Sequence, residues 1–141
     1  MVLLKLKMIT LRKPNGIISR YLQFVDRGKL KRETHQIEGI IWCENREKES
    51  YENKIYGGIV ADEMGMGKTI LMIGLMVCNF KKHTLIILPK SLLVQWQKEI
   101  KKYLHHDAYL LYGSSRVKNI STEVLNQHPI ILTTYCTCVS L

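Results

Sequence analysis

The chain has 141 residues, with 21 Lys and Arg against 12 Asp and Glu, for a formal charge of +9 at neutral pH. That length buries one hydrophobic core, so the chain is one domain or a piece of a larger one, not a multidomain machine. Its longest apolar stretch, "ILMIGLMVC" at 70–78, falls far short of a membrane span, and Lys5 and Lys7 break the opening "MVLLKLKMITLRK" too early for a secretory signal.

The charge is uneven. Residues 1–34 hold nine basic and two acidic side chains, residues 35–63 three and seven, and the remainder nine and three. Two basic blocks flanking an acidic one suit a polyanionic partner, because each cation that neutralises a phosphate releases counterions; the same charge also serves solubility. Cys43, Cys78, Cys136 and Cys138 lie in apolar stretches without a CxxC pair or a His at finger-like spacing. They read as reduced residues of an intracellular protein, nuclear or cytoplasmic, with no membrane partner.

Taken in chain order, "KMITLRKPNGIISRYLQF" sets two apolar and aromatic runs around Pro14-Asn15-Gly16, which predicts a short basic β-hairpin within an N-terminal extension, 1–29. In "THQIEGIIWCENREKE", Thr34 can cap a helix whose buried face would be Ile37, Ile40, Ile41 and Glu44. Residues 49–56 are polar and read as a loop. From there strands and helices alternate. "GIVA" (58–61), "TLIIL" (84–88), "AYLLY" (108–112) and "IILTTY" (130–135) read as strands, and 68–80, 91–104 and 121–127 as helices. The fold class predicted is α/β, a parallel sheet with helices on both faces, over residues 30–141.

The stretch "GGIVADEMGMGKTI" places a glycine-containing loop between a strand and a helix that opens at Gly-Lys-Thr. Backbone N–H groups and the helix dipole would converge there on phosphates. Gly65 and Gly67 let the backbone curl, Lys68 would reach the β and γ phosphates, and the Thr69 hydroxyl would be a magnesium (Mg2+) ligand. Met64, Met66, Met72 and Met76 read as loop filling and core.

The same string resembles the first motif of the Swi/Snf-related helicase-like ATPases of superfamily two, in which Asp-Glu-Met-Gly replaces the usual loop start. Asp62 is then a family mark, and the ATP-binding set becomes Gln36 with Asp62, Glu63, Met64, Gly65, Met66, Gly67, Lys68 and Thr69. "HQIEGIIW" is similar to the adenine-reading Gln motif through Gln36, and "LIILPKSLLVQWQKEI" to the second motif. "LLYGSSR" and "IILTTY" match weaker positions. The tract from "IIWCENREKE" to the loop is most like the subgroup of helicase-like transcription factor and transcription termination ATPases. The resemblance covers 30–135 and implies a RecA-like P-loop lobe, here incomplete, from an ATP-driven motor on double-stranded DNA. The "PKS" turn fits that chemistry, with Lys90 and Ser91 against a DNA phosphate, as do Thr133 and Thr134 at a strand end. Ser91 reads equally as a helix cap, and Trp96 as a core anchor.

Hydrolysis needs a strand-end carboxylate for magnesium and a group to orient water. The predicted strands end near Ala61, Leu88, Tyr112 and Tyr135, and none runs into an Asp-Glu pair; the family's Asp-Glu-x-His motif and second lobe would lie beyond residue 141. The expectation is an ATP-binding fragment of a DNA translocase that does not turn over alone and would act with the remainder of the motor. The alternative is a complete but degenerate nucleotide- or DNA-binding remnant. A small P-loop kinase fits poorly, for want of the same carboxylate and of lid arginines.

Overall fold

The computed structural model describes residues 16–48, 57–113, 117 and 120–139. The chain divides after Phe80 into two compact units.

The first unit packs three helices: α1 (Ile17–Arg27), α2 (Thr34–Lys48) and α3 (Lys68–Cys78). The sequence expectation of a hairpin is corrected here. Its first arm lies outside the described residues, and its second arm is α1, which buries Ile17, Tyr21, Phe24 and Val25. That spacing is one face of a helix, and burial of this face against α2 and α3 outweighs the local Asn-Gly turn signal. Lys29, at φ 52, ends α1, with the Leu30 N–H donating to the Val25 carbonyl (2.9 Å) and the Lys29 N–H to that of Asp26 (3.1 Å). Gly74 of α3 allows the tight contact with α1, since a Cβ there would lie 2.5 Å from Cε2 of Tyr21.

α2 forms where expected and buries Ile40 and Glu44 as expected, but Gln36 and Cys43 take the inward places expected of Ile37 and Ile41. It buries Gln36, Ile40, Cys43 and Glu44. Two polar residues sit inside because their polar atoms are satisfied there: Glu44 accepts from Arg20 (3.3 Å) and Lys48 (2.7 Å), and Gln36 bonds at both ends of its amide.

The expected strand at 58–61 is also corrected. Residues 57–63 carry no strand pairing among the described residues, and Ile59 is 87% exposed. The Gly57 N–H instead donates to the Arg46 carbonyl (2.9 Å), which ties the segment to the end of α2. The loop expected at 49–56 lies outside the described residues.

The second unit is a parallel sheet of β1 (Thr84–Ile87), β2 (Tyr109–Leu111) and β3 (Ile130–Thr133) in the order β1-β3-β2, flanked by helices. Thr84 pairs with Ile130, and Tyr109 with Ile131. All four residues of the central strand are buried, as its continuous apolar run predicts. After β1 a 3-10 turn (Lys90–Leu92) leads into α4 (Leu93–Leu104), which buries Leu93 and Ile100 and packs on β3. α5 (Thr122–Gln127) precedes β3, its Val124 N–H donating to the Ser121 hydroxyl (3.4 Å), and α6 (Tyr135–Val139) follows.

Candidate nucleotide site

Residues 61–67 form a loop that enters α3 through two glycines at positive φ, Gly65 (87°) and Gly67 (78°), where an L side chain would be strained. No side chain caps α3. Its first backbone bond runs from the Leu71 N–H to the Gly67 carbonyl (3.0 Å), so the N–H groups of Lys68, Thr69 and Ile70 lack intrahelical partners and suit an anion.

Lys68 closes the loop. Its ammonium donates to the Asp62 carbonyl (2.7 Å) and to the Glu63 carbonyl (2.7 Å). The side chains of Asp62 and Glu63 are exposed, and Met64 is 97% exposed, so this part of the loop offers its backbone. Thr69 is half-buried. Among the described residues no group of three or more His, Cys, Asp or Glu side chains could hold a metal ion.

The Met66 carbonyl is the meeting point of α2 and the loop. It lies 3.2 Å from Nε2 of Gln36 and 3.1 Å from Nε2 of His35. A carbonyl only accepts, so both nitrogens carry the proton. Gln36 lies directly against the loop, because a Cβ on Gly67 would come within 2.3 Å of its Nε2. A cleft of about 450 Å³ opens beside this contact, lined by Leu30, His35, Gln36, Gly65, Gly67 and Ile70 among others. On α2 and the loop, Trp42, Arg46, Glu47, Gly58 and Lys68 border a second cleft of about 370 Å³. The Arg46 guanidinium sits 5.8 Å from the Trp42 ring centroid. The uncapped helix, the two glycines and the cleft fit a nucleotide whose phosphates lie on the loop.

The SNF2-related domain matches residues 35–140 of this chain. The chain belongs to that family. It is 40% identical over 101 residues to ATP-dependent helicase rhp16 of Schizosaccharomyces pombe, covering 70% of this chain and 11% of that protein. DNA repair protein RAD5 of Debaryomyces hansenii is 36% identical over 111 residues (61% of this chain, 9% of that protein). The ISWI chromatin-remodeling complex ATPase ISW2 of Saccharomyces cerevisiae is 33% identical over 129 residues (84% and 11%). The chain thus spans about a tenth of the length of these curated relatives.

In this SNF2-related chain the residues expected at DNA divide into two kinds. Lys90 and Ser91 are exposed after β1. The Lys90 ammonium lies 5.4 Å from the ring centroid of Tyr112, which follows β2, and the Tyr112 hydroxyl raises its pKa. Ser91 sits inside the 3-10 turn rather than at its cap, and no side chain caps that turn. Thr133 and Thr134, by contrast, are buried. The Thr133 hydroxyl donates to the Leu111 carbonyl (2.9 Å) and ties β3 to β2, and the Thr134 hydroxyl accepts from the Thr137 N–H (3.3 Å) at the start of α6. Trp96 is half-buried on α4. No helix among the described residues is long and apolar enough to cross a membrane.

Sequence reasoning missed Tyr21 and His35. His35 adjoins the Gln motif and was within reach of it. Tyr21 lies 15 residues upstream in no motif, and only the packing of α1 brings its hydroxyl to Gln36 (2.9 Å).

Proposed function

We propose that this chain is the ATP-binding part of a DNA-dependent ATPase that translocates on double-stranded DNA. The observation that carries the reading is the junction at the Met66 carbonyl, where the Gln36 amide meets a phosphate-type loop ending in Lys68 and an uncapped helix. Backbone N–H groups of Lys68, Thr69 and Ile70 would take phosphate oxygens. Lys68 would exchange its two carbonyl partners for the β and γ phosphates, Gln36 would read adenine, and Thr69 would hold magnesium. Bound magnesium would neutralise charge on the phosphates. The names of its relatives, an ATP-dependent helicase and a chromatin-remodeling ATPase, support ATP as the nucleotide.

DNA contact would run through the exposed Lys90 and Ser91, with Thr133 and Thr134 acting indirectly by fixing the strand end. Free cysteines at 43, 78 and 138 support a reducing intracellular compartment, nuclear or cytoplasmic. Turnover is not expected of residues 1–141 alone. The residues that follow the described strands are Leu88, Tyr112 and Thr134, and none is a carboxylate.

Calorimetry and a turnover assay test this together. Magnesium-ATP should bind the wild type, and Lys68→Ala should weaken it by roughly tenfold or more. Equal affinity in both proteins would remove the loop from the site. ATP hydrolysis by 1–141 that is stimulated by DNA and abolished by Lys68→Ala would overturn the no-turnover part and point to Glu63 as an unconventional acid.

A further inference from the structure

The Tyr21 hydroxyl is buried between α1 and α2 and lies 2.9 Å from Oε1 of Gln36. The direction of that bond is fixed by the other end of the amide. Nε2 meets the Met66 carbonyl, which only accepts, so the atom facing Tyr21 is the oxygen and the phenol must donate. Burial keeps the phenol protonated, its pKa pushed up to about 12. An amide with one partner at each end still has one oxygen lone pair and one N–H to offer. Those are the two features that match the Hoogsteen edge of adenine, whose exocyclic N6 donates and whose N7 accepts. Guanine presents O6 in place of N6, an acceptor set against the Gln36 oxygen.

We propose that Tyr21 is a positioning residue for adenine selection, holding the Gln36 carboxamide by its oxygen in the one orientation that favours adenine over guanine. The inference rests on the adenine-reading role of Gln36. The Tyr21 ring is packed against Gly74, and in this reading its hydroxyl acts on the base only through the amide. Without the phenol, Oε1 is left buried beside an apolar ring with no donor, and the amide gains freedom to turn its NH2 toward the base edge. Its contact with the loop at Met66 loosens with it.

The test is nucleotide selectivity, measured by calorimetry with ATP, GTP and 7-deaza-ATP on the 141-residue chain and on Tyr21→Phe, Gln36→Ala and the double variant. Tyr21→Phe keeps the ring and its packing. The ATP-over-GTP preference should fall by about threefold to tenfold in Tyr21→Phe. It should fall at least as far in Gln36→Ala and no further in the double variant, with 7-deaza-ATP penalised only where Gln36 is present and held. A preference lost in Gln36→Ala but kept in Tyr21→Phe, even with a lowered melting temperature, makes Tyr21 a packing residue and overturns the inference while leaving Gln36 in the site. A preference unchanged in Gln36→Ala removes Gln36 from the site and takes the inference with it. Proton NMR adds a readout that needs no nucleotide. The two Gln36 side-chain NH2 resonances should be distinct and protected from exchange in the wild type, and lose that protection in Tyr21→Phe; equal protection in both overturns the inference.

Discussion

The Lys68 ammonium lies 2.7 Å from the carbonyl oxygen of Asp62, and so holds the start of the glycine-containing loop to the first residue of the helix that the loop feeds. A second bond of the same length to the Glu63 carbonyl makes the lysine a clasp. Backbone amides at 62–67 should therefore exchange faster in Lys68→Ala without nucleotide, while those inside α3 stay protected. Hydrogen–deuterium exchange checks this. Equal exchange across 62–67 would mean that the clasp contributes nothing to the loop's order.

Gly74 sets two effects against each other. Replacing a helix-interior glycine with alanine ordinarily favours the helix by about 1 kcal/mol. Here the new Cβ would lie 2.5 Å from Cε2 and 2.9 Å from Cδ2 of Tyr21, inside contact distance of a buried ring. Overpacking costs about 1–3 kcal/mol and wins. Gly74→Ala should lower the urea midpoint without changing the slope, and a raised midpoint would contradict the packing described for α1 and α3.

His106 gives the second unit a pH dependence. Burial is the main cause that lowers its pKa from the ordinary value of 6.5, His128 and Lys101 lower it further, and Asp107 opposes them. Its Nε2 is buried without a partner among the described residues. A histidine with a depressed folded pKa binds fewer protons folded than unfolded. Its stabilising contribution is therefore complete above the unfolded value and is lost as pH falls through the folded one. Thermal unfolding should show stability declining below about pH 6.5, and His106→Gln should flatten that decline. A profile identical in the variant would assign the decline to other groups.

Contacts to DNA through Lys90 should be indifferent to base sequence and sensitive to salt. Affinity for a random duplex should fall steeply between about 50 and 200 mM salt. Lys90→Ala should weaken binding to all sequences alike and reduce the salt slope by about one. Fluorescence anisotropy at several salt concentrations measures both. Sequence-specific binding, or a slope unchanged by the substitution, would remove Lys90 from the interface.

The features legible in the sequence are those whose physics is local. The loop after Asp62 and the helix that opens at Lys68 could be read because the glycines that turn the backbone and the residues that start the helix are neighbours in the chain. The strands at 84–87, 109–111 and 130–133 could be read from continuous apolar runs, although only the central one, 130–133, is buried along its whole length. Misreadings arose where partners decide the outcome. Ile17–Arg27 carries a turn signal beside it and becomes a helix because its apolar face is covered by α2 and α3. Residues 58–61 look like a strand, but a strand exists only with a paired neighbour, and the backbone there is bonded to the end of α2. That Thr133 and Thr134 are buried, with hydroxyls bonded to the Leu111 carbonyl and the Thr137 N–H, is likewise set by the close approach of β2 and the start of α6. Gln36 is named by its motif, but which way its amide faces depends on Tyr21 and on the Met66 carbonyl, 15 and 30 residues away in the chain. A hydrogen-bond direction set by two distant partners leaves no periodicity in the sequence, and only the tertiary packing of α1 on α2 and the loop decides it.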